Sequence, residues 1–382
     1  MKIAILTTDN RDYERDYAAP EPRFGTAPEA LLQGLAQLPE AEVHVVSCVR
    51  QPVRSPKIIG PNIFFHSVVV PKIGWMRTLY QGCIRAKRKK LGEIQPDIVH
   101  GQGTELDCGI SAVFSGLPNV VTIHGNMQAV AQMFGSRIGS FHWLAARLET
   151  LTLRRTSGVF CNSAYTEGLV APRTRKTWRV PNALRCDFFN TEPKRAVCQP
   201  VLLNIGGMLP YKQTVEMLAM ARRLHQRGCQ FEMQFAGDRA AHTDYGKTFA
   251  RELAKAESAG YARHLGTLNT AQLIAAMDAA SALVHFPTEE AFGLVVAEAL
   301  ARNLKLFCAA TGGVTDIATG AEAAELFKAS DFSGLEDAIA RWIREGCPRP
   351  TTTADTMCER YHPMVIARRH LEIYREVLKQ NR

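Results

Sequence analysis

The chain has 382 residues, 46% hydrophobic and 22% charged, with 46 Lys and Arg against 37 Asp and Glu for a formal charge of +9. That length exceeds one ordinary core and suits two domains, and the composition excludes a disordered or collagen-like chain. The positive balance favours anionic partners: phosphates, an anionic membrane face or nucleic acid.

The start, Met1-Lys2-Ile3-Ala4-Ile5-Leu6-Thr7-Thr8-Asp9, turns polar too soon for a signal peptide. No apolar run reaches the length that spans a bilayer. Ten cysteines are scattered singly, with no C-x-x-C pair and no Cys/His spacing typical of a metal motif. They read as reduced, mostly buried thiols of a cytosolic protein.

Residues 3–6 form a first predicted strand, followed by Phe24-Gly25-Thr26-Ala27-Pro28, a Gly-bearing loop at a helix start. An amphipathic helix over 28–38 leads to a strand at 43–46. Residues 72–90 hold no acid and interleave Trp75, Leu79, Tyr80 and Ile84 with Lys and Arg. That stretch reads equally as an amphipathic surface for anionic lipid and as a solvated helix. Known nucleic-acid motifs do not accompany it, so no nucleic-acid partner is expected. Strands are predicted at 98–100, 120–124 and 158–161, with a helix over 141–155 before the last. His100 and His124 both end strands. His100 reads as a structural hydrogen-bonder, whereas Gly125 keeps the approach to His124 open for a sugar hydroxyl or a proton.

A second series starts after Pro181-Asn182. Predicted strands at 201–205, 232–236, 281–287 and 304–308 alternate with helices at 214–227, 271–280 and 295–302. Short β-branched strands alternating with helices predict two successive doubly wound parallel sheets. Such sheets bind ligands at the carboxyl ends of their strands, so the expected site is a cleft between the domains. A final helix over 364–379 has no strand after it and is expected to pack back across the hinge.

The most informative segment is Glu290-Ala291-Phe292-Gly293-Leu294-Val295-Val296-Ala297-Glu298. It joins a buried strand to an apolar helix through a short Gly-containing loop, the geometry of an anion site. Two carboxylates there would repel a phosphate unless they accept hydrogen bonds from neutral hydroxyls. A ligand with a phosphate and many hydroxyls is a nucleotide-sugar. Gly206-Gly207-Met208-Leu209-Pro210-Tyr211-Lys212 leaves the preceding domain-opening strand, and Lys212 there could neutralise a diphosphate. The absence of G-x-G-x-x-G counts against a dinucleotide enzyme.

The Glu290–Glu298 spacing resembles the donor-site signature of retaining glycosyltransferases with the GT-B fold, family 4. Val180-Pro181-Asn182 resembles the family's interdomain turn and 206–212 its diphosphate loop. Leu265-Gly266-Thr267-Leu268 resembles its base-pocket turn, and Thr311-Gly312-Gly313-Val314 its later Gly-Gly turn. The resemblance implies an acceptor-binding Rossmann-like domain at 1–182 and a nucleotide-sugar domain at 183–363, with the helix 364–382 returning to the first. It further implies that Glu290 holds donor-sugar hydroxyls and Glu298 the ribose. Phe292, Gly293 and Leu294 would offer amides to the diphosphate, and Lys212, beside Gly206 and Gly207, would contact its oxygens. Leu268 would line the base, Gly25 would let the first domain approach the donor, and His124 would face the transferred sugar. No metal or other cofactor is expected beyond a UDP- or GDP-sugar. Two departures stand out: Gly207 occupies a position where the family usually has Arg, and Gly25 stands alone where a Gly-Gly pair is common.

The expected activity is retaining transfer to a glycan or lipid-linked hydroxyl in cell-envelope or exopolysaccharide synthesis, in the cytoplasm or at the inner membrane face. The alternatives are a sugar-nucleotide 2-epimerase and a non-catalytic nucleotide-sugar binder.

Overall fold

The computed structural model describes residues 1–190 and 199–380. Cys198 lies outside the described residues; the other nine cysteines are free thiols. The chain divides into two units, residues 1–185 with 361–382, and residues 186–360.

Unit 1 is built on β1 (Lys2–Leu6), β2 (Glu42–Val49), β3 (Ile58–Gly60), β4 (Ile63–Val69), β5 (Ile98–Gln102), β6 (Asn119–Ile123), β7 (Val159–Cys161) and β8 (Thr177–Arg179). They form one sheet in the order β3-β4-β2-β1-β5-β6-β7-β8. Every pairing is parallel except β3 with β4. Helices cover both faces, so the central strands are buried throughout: all of Ile98–Gln102 and Asn119–Ile123 is inside, polar His100, Gln102, Asn119 and Thr122 included. The final helix, Pro363–Gln380, belongs to this unit and buries Ile366, Ala367, Leu371 and Tyr374 in its core. It crosses the helix Thr26–Leu35 so closely that a Cβ at Gly34 would lie 2.1 Å from the Pro363 carbonyl oxygen.

Unit 2 is built on β9 (Val201–Ile205), β10 (Glu232–Ala236), β11 (Ala262–Gly266), β12 (Ala282–His285), β13 (Lys305–Ala309) and β14 (Ala324–Phe327). The order β11-β10-β9-β12-β13-β14 is wholly parallel. Its core gathers Met217, Leu224, Phe235, Phe249, Phe286, Phe307 and Trp342.

Both sheets reverse direction at one internal point, between β1 and β5 in unit 1 and between β9 and β12 in unit 2. Diverging loops leave an opening there at the strands' carboxyl ends. In unit 2 glycines let neighbouring strand ends close up. Gly237 follows β10 with φ +139°, and a Cβ there would sit 2.1 Å from the Gly206 carbonyl oxygen. Gly237→Ala is therefore expected to cost about 2–4 kcal/mol, from the left-handed backbone and the backbone clash together. Chemical denaturation checks this; a variant as stable as the parent would mean that the two loops do not meet as described.

Two expectations change here. Trp75, Tyr80 and Ile84, read as one side of a lipid-facing surface, lie buried in unit 1 with Cys48, Cys83 and Ile110. Lys87 on the helix Gln81–Ile94 is fully buried and pairs with Asp107 at 2.7 Å. What remains outward between residues 72 and 90 is the charge of Lys72, Arg77, Arg85, Arg88 and Lys89 together with apolar Ile73 and Leu79. Trp75, Tyr80 and Ile84 went inside because the segment before that helix doubles back through two short 3-10 turns, Lys72–Gly74 and Met76–Thr78.

Candidate active site

The loops after β9 and β12 flank the reversal point of unit 2. After β9, Gly206 has φ +149°, and the methylene stem of Lys212 lies 3.7 Å from where its Cβ would be. A 3-10 turn, Pro210–Lys212, then ends at Gln213, whose φ of 52° turns the chain into the helix Thr214–Gln226. Gln213 donates from Nε2 to the carbonyls of Phe286 (2.7 Å) and Ala329 (3.0 Å), and Thr288 N–H donates to the Tyr211 carbonyl at 2.8 Å. The two loops are therefore laced together.

Within that lacing, Lys212 Nζ lies 2.6 Å from Glu290 Oε2, and His285 Nε2 lies 3.1 Å from the same oxygen. Burial alone would raise the Glu290 carboxyl; the His285 hydrogen bond and the Lys212 ammonium outweigh it and hold it at about 2. Burial also lowers the pKa of His285, against the pull of Glu290. A neutral imidazole facing a carboxylate must carry its proton on Nε2 and donate it. Lys212 is a counter-charge that lets the largely buried Glu290 stay ionised.

Gly293 caps the helix Leu294–Ala301 at φ +94°, a backbone that favours glycine, and its Cβ would press on Val314 at 3.1 Å. Val296 N–H already donates to the Gly293 carbonyl at 2.9 Å, and the positive end of the helix dipole lies at the amides before it. Phe292 is buried and Leu294 half-buried. Glu298 is the fifth residue of the helix and 3% exposed, so it faces inward from the helix. Leu268 is half-buried between β11 and the helix Thr270–Ala279, whose capping box is formed by Asn269 and Gln272. Gly207 has an ordinary backbone, and a Cβ there would meet only Leu209 (3.7 Å) and the Asp238 carbonyl (4.0 Å). A side chain would fit, so the fold does not require this glycine. Exposed Arg239 follows β10, its Nε donating to His264 Nδ1 at 2.9 Å.

In unit 1, Gly25 ends the loop after β1. That loop is clamped by the buried Asp9–Arg11 ion pair at 2.6 Å and caps the helix Thr26–Leu35. A Cβ at Gly25 would meet only Pro28 at 3.7 Å, so the local fold does not demand glycine here either. His124 follows β6 and meets Gln102 Oε1 through Nε2 at 2.9 Å; burial lowers its pKa to about 4. Donation to that oxygen leaves Nδ1 of a neutral ring as the acceptor. Glu149, fully buried, takes the Met127 N–H at 2.8 Å and Arg173 at 2.9 Å, fixing the helix start after His124. His100 is held by Tyr374 (2.5 Å) and Thr122 (2.6 Å), a structural role.

Glu290, Lys212 and Gly293 come together in unit 2, whereas His124 and Gly25 lie in unit 1 at separate strand ends. Two residues escaped sequence reading. His285 is the strand-end histidine five positions before Glu290. Glu105, in the loop after β5, accepts the Gly125 N–H at 2.7 Å beside His124, and burial raises its carboxyl pKa. The chain also gathers Cys48, Cys83 and Asp107, buried and within 4.8 Å of one another despite their wide sequence spacing. The adjacent cation is the Lys87 ammonium, which pairs with Asp107.

This architecture, two Rossmann-like units with a charged strand edge in the second, is the GT-B glycosyltransferase fold. The Glycosyltransferase Family 4 model matches residues 29–187 and the Glycosyl transferases group 1 model matches residues 189–356. The chain belongs to the family 4 glycosyltransferases and is a sugar-transferring enzyme. No curated protein matches it significantly. Among solved structures it is similar to sucrose-phosphate synthase from Thermosynechococcus elongatus, at TM-score 0.77 and 16% identity over 100% of both chains. It is also similar to Anabaena Alr3699/HepE in complex with UDP-glucose, at TM-score 0.72 and 16% identity over 98% of this chain and 100% of that one. A third, the lipopolysaccharide outer core galactosyltransferase WaaB, gives TM-score 0.66 and 13% identity over 96% and 97%.

Proposed function

We propose that the protein is a retaining, metal-independent glycosyltransferase. It takes a UDP- or GDP-sugar on unit 2 and transfers the sugar to a hydroxyl of a glycan or lipid-linked acceptor. The observation that carries this is the Lys212–Glu290–His285 cluster beside the Gly293-capped helix. Lys212 would move its charge to the diphosphate, the helix amides would take the remaining oxygens, and Glu290 would turn to the sugar hydroxyls. Glu298 would accept from the ribose, and Leu268 would line the base. Arg239, at the neighbouring strand end, is the cation we assign to the place the family gives to Arg at position 207. UDP-glucose in the Anabaena neighbour supports a uridine donor.

The acceptor oxygen would bond to the anomeric carbon on the face from which the diphosphate departs, and the acceptor proton would go to a leaving-phosphate oxygen. Cations and dipoles around that phosphate lower the barrier. In unit 1, Gly25 would face the donor and His124 Nδ1 would accept from a sugar hydroxyl. The WaaB likeness and the exposed basic residues of 72–90 support a cell-envelope or exopolysaccharide acceptor at the inner membrane face. Among the described residues no helix is long and apolar enough to cross a membrane.

The test is incubation with UDP- and GDP-sugars and candidate acceptors, with and without a chelator, followed by NMR of the anomeric proton. The expected product keeps the donor's anomeric configuration, and the chelator has no effect. An inverted product or chelator-sensitive turnover contradicts the mechanism. A free epimerised sugar would establish the epimerase instead, and donor binding without turnover the non-catalytic binder.

A further inference from the structure

We propose that residues 127–147 form a docking surface for an anionic lipid bilayer. The helix Met127–Met133 is joined to the helix Phe141–Arg155 by a loop that turns at Gly135 and Gly139, both at positive φ. Along that loop Met133 is 45% exposed, Phe134 61%, Ile138 84% and Phe141 44%. Single exposed apolar residues are ordinary, but four large ones within nine positions make a patch. The patch is ordered: the His142 ring stacks on Phe134 at 5.1 Å and meets the edge of Phe141 at 5.5 Å. Its side chains are thus held outward.

Charge complementarity selects the occupant. No Asp or Glu occurs between Asp107 and Glu149. The charges inside that stretch are cations: Arg137 is exposed between the apolar tips, and exposed Arg147 lies over the Trp143 ring at 5.0 Å. A cavity of about 430 Å³, lined by Gln128, Gln132, Ser136, Trp143, Arg147 and Thr150, opens between the two helices beside the patch. It offers hydrogen-bond donors and one guanidinium, suited to a phosphate-bearing headgroup. The wider charge distribution agrees: unit 1 holds 28 Lys and Arg against 16 Asp and Glu, unit 2 holds 18 against 21. The whole positive excess therefore sits in the unit that carries this loop. Apolar tips with interfacial aromatics and basic neighbours enter the headgroup region of an anionic bilayer, and each part strengthens the other.

The patch also adjoins His124. The helix Met127–Met133 begins three residues after His124 and rises about 10 Å. A bilayer held at its far end would bring an embedded acceptor's headgroup toward His124 and the transferred sugar. That orientation rests on the contact proposed between His124 and the transferred sugar, whereas the docking itself does not.

The experiment is vesicle co-sedimentation with no donor or acceptor present, so its outcome is independent of the transfer chemistry. Vesicles of phosphatidylcholine alone are compared with vesicles that also contain phosphatidylglycerol. The expected result is binding to the anionic vesicles, weakened about tenfold or more in the double variant Phe134→Ser, Ile138→Ser and weakened in Arg137→Glu. A control variant, Ile58→Ser on the edge strand β3, where Ile58 is 60% exposed, should bind like the parent, and the variants should melt like it because the altered side chains are exposed. Absence of parent binding, or equal binding by the double variant, overturns the proposal. So does loss of binding only when Lys72, Arg77, Arg85, Arg88 and Lys89 are neutralised. Concentration-dependent self-association that the double variant abolishes, without vesicle binding, would make the patch a contact between copies and also overturn it.

Discussion

Replacing Glu290 with alanine is expected to lower kcat/KM for sugar transfer by about 10²–10³-fold, close to the effect of deleting one preorganised transition-state hydrogen-bonding group. The carboxylate lies in reach of two donors, Lys212 at 2.6 Å and His285 at 3.1 Å, both tied to the strand edge. In our account it accepts from sugar hydroxyls as the anomeric carbon becomes electron-poor, so its loss falls on kcat more than on KM. Glu290→Gln keeps the shape and one acceptor and should lose less. Stability should also fall, by about 1–3 kcal/mol, because buried His285 keeps its N–H and loses its acceptor. The pH sign follows from the depressed pKa. The stabilisation from ionised Glu290 is fully present above the ordinary carboxyl value of 4.5 and is lost as pH falls through about 2. Steady-state kinetics of the two variants, with acid titration of the folded state, check these points.

Lys212→Ala carries the second large effect. Removing the ammonium takes away the charge that would meet the departing diphosphate, an expected loss of about 10²–10³-fold in kcat, or roughly 3–4 kcal/mol of barrier. It also changes Glu290. Burial raises that carboxyl, and the lysine is one of the two partners that overcome it. Without Lys212 the pKa of Glu290 must rise, so the acid limb of the rate profile should move to higher pH. A lysine that only pairs with Glu290 would move that limb without lowering kcat on the plateau above it. The kcat–pH profiles of parent and variant separate the two cases.

Parts of this protein are plain in the sequence. The strand Val201–Ile205 is a short, mostly apolar run, Glu232–Ala236 alternates polar and apolar residues, and the helix Phe141–Arg155 lies uninterrupted between Ser140 and Thr156. Their bounds follow from local chemistry. Edge strands do not announce themselves: Ile58–Gly60 and Ala324–Phe327 are short and half-exposed, so alternation and burial are both weak. The helix Asp244–Ser258 does carry its signal, in Phe249, Leu253 and Ala256 at i, i+4 and i+7, behind the glycine at position 246. The site divides the same way. Glu290, Gly293 and Glu298 are legible because strand, loop and helix are contiguous. That Lys212 meets Glu290 depends on β9 lying beside β12, and sheet order is set by long-range pairing. Glu105 is hidden for that reason, since its partner Gly125 follows a neighbouring strand; His285 lies only five residues before Glu290, and what hides it is the loop that folds the carboxylate back onto its own strand end. The burial of Trp75, Tyr80 and Lys87 was equally hidden, because Lys87 goes inside only with Asp107 as its counter-charge.

Calorimetric titration of a nucleoside diphosphate and its sugar conjugate into the parent, Lys212→Ala and Glu290→Gln separates the roles of the two residues. Lys212→Ala should weaken both ligands, while Glu290→Gln should weaken the sugar conjugate and leave the free diphosphate bound at least as tightly. Equal losses for the two ligands in Glu290→Gln, or parent-like diphosphate binding in Lys212→Ala, would contradict those roles.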